Sequence, residues 1–270
     1  MAMRIATLLL IAVRAGAAAP SPKRGYVANT GSALGDAALL APGTSWYYAY
    51  EMSSPYCGAA SACPTAQAFY PQPWCLDDAS GPLPPYANAS ASILLGFNEP
   101  NFPTQCNKSP AQVAAAWGAL AARWPAPGQL ASPAVALNAS TTSWWLDQFF
   151  QECTSQYGQG GCAGIKFVAV HDYSCDAPTT MAYLQAIHAR YGLPVLLTEF
   201  ACGSLHHKRP VADELALMKA LVPLLEAAPF VARYSWMSAR DTDGLRNLVE
   251  ADAGSGALRL TELGQLYISL

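Results

Sequence analysis

Charge is scarce in this chain. Of its 270 residues only 12% are Asp, Glu, Lys or Arg, and the formal net charge is -3. No basic run exceeds Lys23-Arg24 or the cluster His206-His207-Lys208-Arg209. Phosphate recognition needs clustered Lys and Arg, so this argues against nucleic acid as the main partner. The cluster reads as a solvated loop at a helix entry. No CxxC pair occurs, which speaks against a zinc ribbon. The stretch after the first apolar run, GYVANTGSALGD, lacks the GxGxxG spacing of a dinucleotide turn. There is no internal repeat and no linker. No segment has the length and continuity of a membrane helix, so no membrane span is expected.

What remains is an apolar chain of globular type, with 52% hydrophobic residues. The N-terminus has the form of a secretory signal peptide. Arg4 supplies a positive charge, Ile5 to Val13 a short apolar run, and RAGAAAP small residues for cleavage. The expected division is a signal peptide at 1–19 and one domain at 20–270, secreted to the extracellular space or cell wall. The cysteine count, eight, agrees with an oxidising compartment. Sequons at Asn88, Asn107 and Asn138 are glycosylation candidates.

Short apolar runs alternate with helical patterns. The candidate strands are Gly25–Val27, Ser45–Tyr48, Ala68–Tyr70, Ile93–Phe97, Gln129–Ser132, Ile165–Val170, Val195–Thr198 and Arg233–Trp236. Between them, Ser109-Pro110 opens a helix as cap and first-turn proline. TSWWLDQFFQECTSQYG has helical spacing, and TMAYLQAIHARYG stops at Gly192. VADELALMKALVPLLEAA carries a kink or break at Pro223. LTELGQLYISL reads as a last helix. Strands alternating with helices imply parallel pairing and right-handed crossovers. Eight such units in one domain predict an α/β fold, a single (β/α)8 TIM-type barrel.

In such a barrel the active site lies at the C-terminal ends of the strands. The residues following each apolar run are therefore the candidates. They are Asn98 and Glu99 after strand four, His171, Asp172 and Tyr173 after strand six, Thr198 and Glu199 after strand seven, and Ser235, Trp236 and Asp241 after strand eight. Aromatics end strands two and three: Trp46, Tyr47 and Tyr48, then Tyr70 and Trp74. Glu99 and Glu199 both follow apolar runs and have apolar or aromatic neighbours. One carboxyl that protonates a leaving oxygen and one that attacks the sugar is the arrangement of glycoside hydrolysis. Trp and Tyr suit the same task, because sugar rings present apolar C–H faces on which they stack. Asn98, Trp46, Tyr47, Trp74, His171, Tyr173 and Trp236 are the substrate-binding candidates, with His171 either orienting Glu199 or capping the barrel. Trp117, Trp124, Trp144 and Trp145 lie on helix patterns and read as packing.

The motifs LLGFNEPN, FVAVHDY, VLLTEFA and ARYSWM, in this order and spacing, resemble glycoside hydrolase family 128, which includes the Asl1-like alkali-sensitive-linkage cell-wall proteins. SWYYAYE is similar to the strand-two aromatic motif of that family, and LTELGQLY to its closing helix. The resemblance covers nearly the whole chain after the signal. It implies a retaining endo-β-1,3-glucanase with Glu99 as acid/base and Glu199 as nucleophile. Asn98 would then hold the sugar 2-hydroxyl or the nucleophile. One departure is His171-Asp172-Tyr173, where the family often shows His-Trp-Tyr. The Cys-rich insert near Cys57 and Cys63 has no match. The implied partner is a β-glucan polysaccharide or oligosaccharide, acted on by a monomer with no cofactor and no metal. Two alternatives stay open: a non-catalytic glucan-binding wall protein, and a hydrolase of another β-glycan such as mannan.

Eight cysteines allow on the order of a hundred connectivities. The pairs expected are Cys57–Cys63, Cys75–Cys106, Cys153–Cys162 and Cys175–Cys202. The short ones close local loops. The long ones tie strand-end loops three to four and six to seven, which are neighbours in a barrel.

Overall fold

The structure, a computed structural model, describes residues 19–29, 31–57, 63–80, 93–124, 129–136, 139–158, 161–162, 164–203, 209–242 and 244–270. The expected signal peptide up to Ala18 and the sequons at Asn88 and Asn138 lie outside them.

Eight short strands form one sheet: β1 Arg24–Val27, β2 Trp46–Tyr48, β3 Ala68–Phe69, β4 Ile93–Leu94, β5 Gln129–Ala131, β6 Ile165–Asp172, β7 Val195–Phe200 and β8 Val231–Trp236. Every pairing is parallel, and the spatial order is β3-β2-β1-β8-β7-β6-β5-β4. Each predicted run yields a strand, though Ile93–Phe97 keeps ladder pairing only over its first two residues. Among the described residues six α-helices flank the sheet: α1 Leu34–Leu40, α2 Pro110–Arg123, α3 Ala139–Tyr157, α4 Ala177–Tyr191, α5 Val211–Ala227 and α6 Glu262–Ser269. An antiparallel hairpin, β9 Val249–Ala251 with β10 Leu258–Leu260, precedes α6 and was not foreseen in the sequence. Among the described residues no helix is long and apolar enough to cross a membrane.

The helix boundaries follow local chemistry. Ser109 accepts the Gln112 N–H at 3.3 Å, and the Gln112 side chain accepts the Ser109 N–H at 2.9 Å, a reciprocal cap at the start of α2. Asp176 caps α4 with a single bond, its Oδ1 accepting the Thr179 N–H at 2.9 Å. Gly192 ends α4 at φ 66°, a conformation that needs no Cβ. Of the kink or break expected at Pro223, the break does not occur: α5 runs through the proline. A mid-helix proline removes one backbone hydrogen bond. Here Leu217, Met218, Leu221, Val222 and Leu225 are all buried along the same helix, and that packing keeps it continuous across the proline. Trp117, Trp124 and Trp145 pack in the core as read, but Trp144 is 59% exposed.

The predicted barrel is seen as a curled sheet whose end strands, β3 and β4, share no ladder. The reason lies in Tyr70-Pro71-Gln72-Pro73. Tyr70 and Gln72 give their N–H groups to Tyr47 and Glu51 carbonyls on the β2 side, at 2.9 and 3.0 Å. Alternation turns Pro71 and Pro73 toward β4, and proline has no N–H to give. The two edges still meet in one direction: Leu95 N–H donates to Pro71 O at 2.9 Å and Asn98 N–H to Trp74 O at 3.0 Å. Cys75 and Cys106, just beyond these residues, form a disulfide across the same seam. The other three bridges are Cys57–Cys63, Cys153–Cys162 and Cys175–Cys202, the last joining the loops that follow β6 and β7.

Candidate active site

The C-terminal ends of β4, β6 and β7 bring Glu99, His171 and Glu199 together. Glu99 is 8% and Glu199 4% exposed, while His171 is wholly buried. His171 Nδ1 lies 2.7 Å from Glu99 Oε1 and 3.3 Å from Glu199 Oε2. A ring nitrogen set between two carboxylates carries a hydrogen, so the imidazole ties the pair together. Burial pulls the His171 pKa down. The charges of Glu199 and Glu99 and the hydrogen bond to Glu99 outweigh it, and the net shift is upward.

Three phenols surround Glu199. Tyr50 donates to Oε1 at 2.6 Å and Tyr48 to the same oxygen at 3.3 Å, while Tyr173 donates to Oε2 in a short bond. Burial, and then the charge of Glu199, push all three phenols well above the usual tyrosine range, so they remain protonated donors. Burial also raises the Glu199 pKa. The Glu99 charge adds to this, while His171, Tyr173 and Tyr50 oppose it without cancelling it.

Glu99 reaches this position through a left-handed backbone, φ 39°, that costs a non-glycine residue about 1–2 kcal/mol. Its N–H donates to Ala134 O at 2.8 Å and its carbonyl accepts from Phe102 N–H at 3.0 Å. Asn101 locks the next residues to the β5 loop, donating to Ala136 O at 2.9 Å and accepting from Ala136 N–H at 3.1 Å. Asn98 is buried beside Glu99. Its Nδ2 donates to Gln105 Oε1 at 3.3 Å, and its Oδ1 has no hydrogen-bond partner among the described residues.

The remaining candidates divide. Trp74 is half-buried on the seam beside Asn98. Trp46 begins β2, at the opposite end of the sheet from the glutamates. It stacks on Tyr48 and Tyr70, and its Nε1 donates to Lys23 O at 2.9 Å. Tyr47 faces the other side of the sheet, stacked on Tyr26, with its hydroxyl 2.6 Å from Ser54 Oγ. Trp236 is fully buried against Phe200 and Tyr267, and donates to Arg246 O at 2.8 Å. The expected ligand contacts of Trp46, Tyr47 and Trp236 are therefore corrected to packing roles. Tyr48 and Tyr50, not among the site candidates, take the places at Glu199. Strand alternation held the clue: Tyr48 and Tyr50 share a face, and Tyr47 lies on the other. The same rule explains Asp172, which turns away from His171 and Tyr173 to accept from Ser174 Oγ at 2.8 Å and Thr180 Oγ1 at 2.6 Å. Asn107 is exposed in the loop after β4.

One atom each from Glu99, His171 and Glu199 lie within 4.8 Å of one another, a set that could bridge a divalent ion. The Glu199 oxygens in that set already accept from Tyr48, Tyr50 and Tyr173, and His171 Nδ1 lies against both carboxylates.

Two buried carboxylates close together at the strand ends of a parallel α/β sheet are the arrangement expected of a glycoside hydrolase. The chain belongs to the glycosyl hydrolase catalytic core family, whose sequence profile matches residues 27–267. A family 128 subgroup I endo-β-1,3-glucanase of Amycolatopsis mediterranei, solved with laminarihexaose, superposes with a TM-score of 0.74 at 25% identity, over 92% of this chain and 99% of that one. A subgroup II endo-β-1,3-glucanase of Pseudomonas viridiflava gives 0.72 at 29% identity, over 93% and 98%. A subgroup III curdlan-specific exo-β-1,3-glucanase of Blastomyces gilchristii gives 0.67 at 26% identity, over 93% and 100%. Alkali-sensitive linkage protein 1 of Schizosaccharomyces pombe is 31% identical over 193 residues, which are 66% of this chain and 33% of that protein. The chain thus spans about a third of that relative's length. The resemblance to family 128 read from the four motifs is borne out.

Proposed function

We propose that this chain is a secreted, monomeric endo-β-1,3-glucanase that retains anomeric configuration, with Glu199 as nucleophile and Glu99 as acid/base. The observation that carries the reading is the approach of the two carboxylates, whose nearest ligand oxygens lie within 4.8 Å. Retaining enzymes hold their carboxyl groups about 5–5.5 Å apart, and inverting ones leave room for a water at roughly 6.5–9.5 Å. The β-1,3-glucan substrate rests on the activities of the family 128 relatives. Four disulfides suit an extracellular setting. The sheet is read as a barrel closed across the β3–β4 seam, supported by its two backbone bonds and its disulfide.

In the first step Glu199 attacks the anomeric carbon while Glu99 gives a proton to the departing glycosidic oxygen. The phenols of Tyr50, Tyr48 and Tyr173 hold Glu199 in one orientation and favour its ionised form against the opposing pull of burial. In the second step Glu99 takes a proton from water, and the hydroxide displaces Glu199 from the sugar. His171 touches both carboxylates, so it can compensate whichever one carries the charge as the proton changes hands. Asn98 presents an unpaired buried amide oxygen beside Glu99, fit to accept a hydroxyl of the bound sugar.

The test is a pair of variants, each assayed on an activated aryl glucoside and on laminarin. Glu199→Gln should lose both substrates, and azide should restore turnover with inverted product. Glu99→Gln should keep the aryl substrate's first step and lose laminarin by about 10²–10⁴-fold, the usual worth of acid–base assistance. Equal, modest losses in both variants on both substrates would mean that the pair is structural.

A further inference from the structure

The loop after β4 carries a residue to which the two-step reaction gives no task. Gln105 is half-buried, and its Oε1 accepts from Asn98 Nδ2 at 3.3 Å. Asn98 is 3% exposed, and its backbone is fixed by the bond to Trp74 O and by a bridge to Ala134. What the backbone leaves open is the sense of the side-chain amide. Half a turn about its last torsion exchanges an acceptor oxygen for an NH2 group with two donors, with almost no change of shape.

Gln105 closes that choice. With Nδ2 held by Gln105, the end left buried without a partner among the described residues is the oxygen, Oδ1. The loop that delivers Gln105 is itself pinned. Gln105 N–H donates to Phe102 O at 3.0 Å, Lys108 N–H donates to Pro100 O at 2.9 Å, and the next residue, Cys106, is bonded to Cys75. The hydroxyl nearest the carbon that Glu199 attacks is the 2-hydroxyl of that sugar. A hydroxyl can donate or accept, so the sense of the amide decides which it does. Positive charge builds on the anomeric carbon in the oxocarbenium-like transition state and makes this hydroxyl a stronger donor. A bond that it donates tightens there, and a bond that it accepts loosens. Only an oxygen facing the sugar therefore lowers the barrier.

We infer that Gln105 is a positioning residue that sets the Asn98 amide so that its oxygen, and not its NH2 group, meets the 2-hydroxyl of the sugar under attack. The inference rests on the retaining β-glucanase reading above. It gives the loop after β4 a share in catalysis without contact with the substrate, through one accepted hydrogen bond.

The experiment compares the full chain with Gln105→Met, which keeps the length and removes the acceptor, and Gln105→Glu, which keeps an acceptor and removes the donors. Each is assayed at its own pH optimum, because a carboxylate at 105 adds charge beside the site. The substrates are an activated aryl β-laminaribioside and its counterpart lacking the 2-hydroxyl on the reacting sugar. On the first, Gln105→Met should lose roughly three- to tenfold, the worth of one neutral hydrogen bond. The loss should fall on kcat and leave KM in place, as expected of a contact made in the transition state. On the 2-deoxy substrate the same variant should match the wild type, and Gln105→Glu should match it on both. Added to Asn98→Ala, Gln105→Met should cost nothing further, since the two act as one unit. Equal slowing of both substrates by Gln105→Met overturns the inference, because the loop would then be merely structural. So does a Gln105→Glu variant as slow as Gln105→Met. A further loss in the Asn98→Ala background also overturns it, since Gln105 would then touch the sugar itself. A wild-type chain that turns over neither the aryl laminaribioside nor laminarin overturns the proposed function, and this inference with it.

Discussion

Glu199 sits under opposing pressures: burial and Glu99 raise its pKa, while His171 and the phenols hold it down. The net shift is upward, and the sign matters for activity. A nucleophile works ionised, so activity is lost as pH falls through its pKa, and the acid limb of kcat/KM should lie above the usual carboxylate range. Tyr50 donates to the ionised carboxylate at 2.6 Å. A hydrogen bond to a charged group is worth about 1.5–3 kcal/mol, and about 1.4 kcal/mol corresponds to one pH unit. Tyr50→Phe should therefore move the acid limb further up by about one to two units. A pH–rate profile checks it; an unmoved limb with a raised KM would make Tyr50 a substrate contact instead. At this scale the sequence disclosed the glutamates and His171, because each follows an apolar run. It did not disclose Tyr50, whose link to Glu199 crosses 149 positions of chain.

The elements were more legible than their contents. All eight strands were marked by apolar runs, because buried parallel strands need apolar residues on both faces. The hairpin β9–β10 was not, since Val249-Glu250-Ala251 and Leu258-Arg259-Leu260 are too short and mixed to stand out. Nor could composition tell which aromatic on a strand faces the cleft, since Trp46, Tyr47 and Tyr48 differ in direction rather than in chemistry. Gly96 shows how tightly the elements fix the site. A Cβ there would lie 2.5 Å from both Pro133 N and Ser132 O, which are backbone atoms that cannot step aside. Gly96→Ala should cost about 1–3 kcal/mol, lowering the thermal midpoint by roughly 2–10 °C. It should reduce activity beyond that, because Glu99 is three residues on. Gly254→Ala is the control, where a Cβ would meet only Asp252 Oδ1 at 3.5 Å. Thermal unfolding and laminarin hydrolysis of both variants check the contrast.

Across the whole molecule, the start of the sheet is locked to its end. Lys23 Nζ donates to the Leu225, Glu226 and Ala228 carbonyls at 3.2, 2.9 and 2.8 Å, closing the C-terminus of α5. Arg24 donates to Tyr267 O at 2.5 Å, and Tyr267 Oη donates to Gly25 O at 2.7 Å, so α6 clasps β1. The β1–β8 side is thus secured by a ladder and by side chains, whereas the β3–β4 side has no ladder and is held by its two backbone bonds, by the Gln72 Nε2 bond to Gly96 O at 3.1 Å and by the disulfide. That difference makes the proline-bearing seam the natural place for the native state to breathe. Amide protons there are shielded by two isolated bonds and a sulfur bridge, whereas those of β6, β7 and β8 lie within continuous ladders. Removing Cys75–Cys106, which closes a separation of 31 residues, should cost about 3–4 kcal/mol on the chain-entropy account. Hydrogen–deuterium exchange should then show the Leu95 and Asn98 amides exchanging early in Cys75→Ser/Cys106→Ser protein, while the β7 amides stay protected. Uniform acceleration of all of them would mean that the sheet opens as one unit. A seam that opens alone would carry Asn98 and Glu99 away from Glu199 in a brief excursion, so the disulfide would set how much of the time the two carboxylates face each other at all.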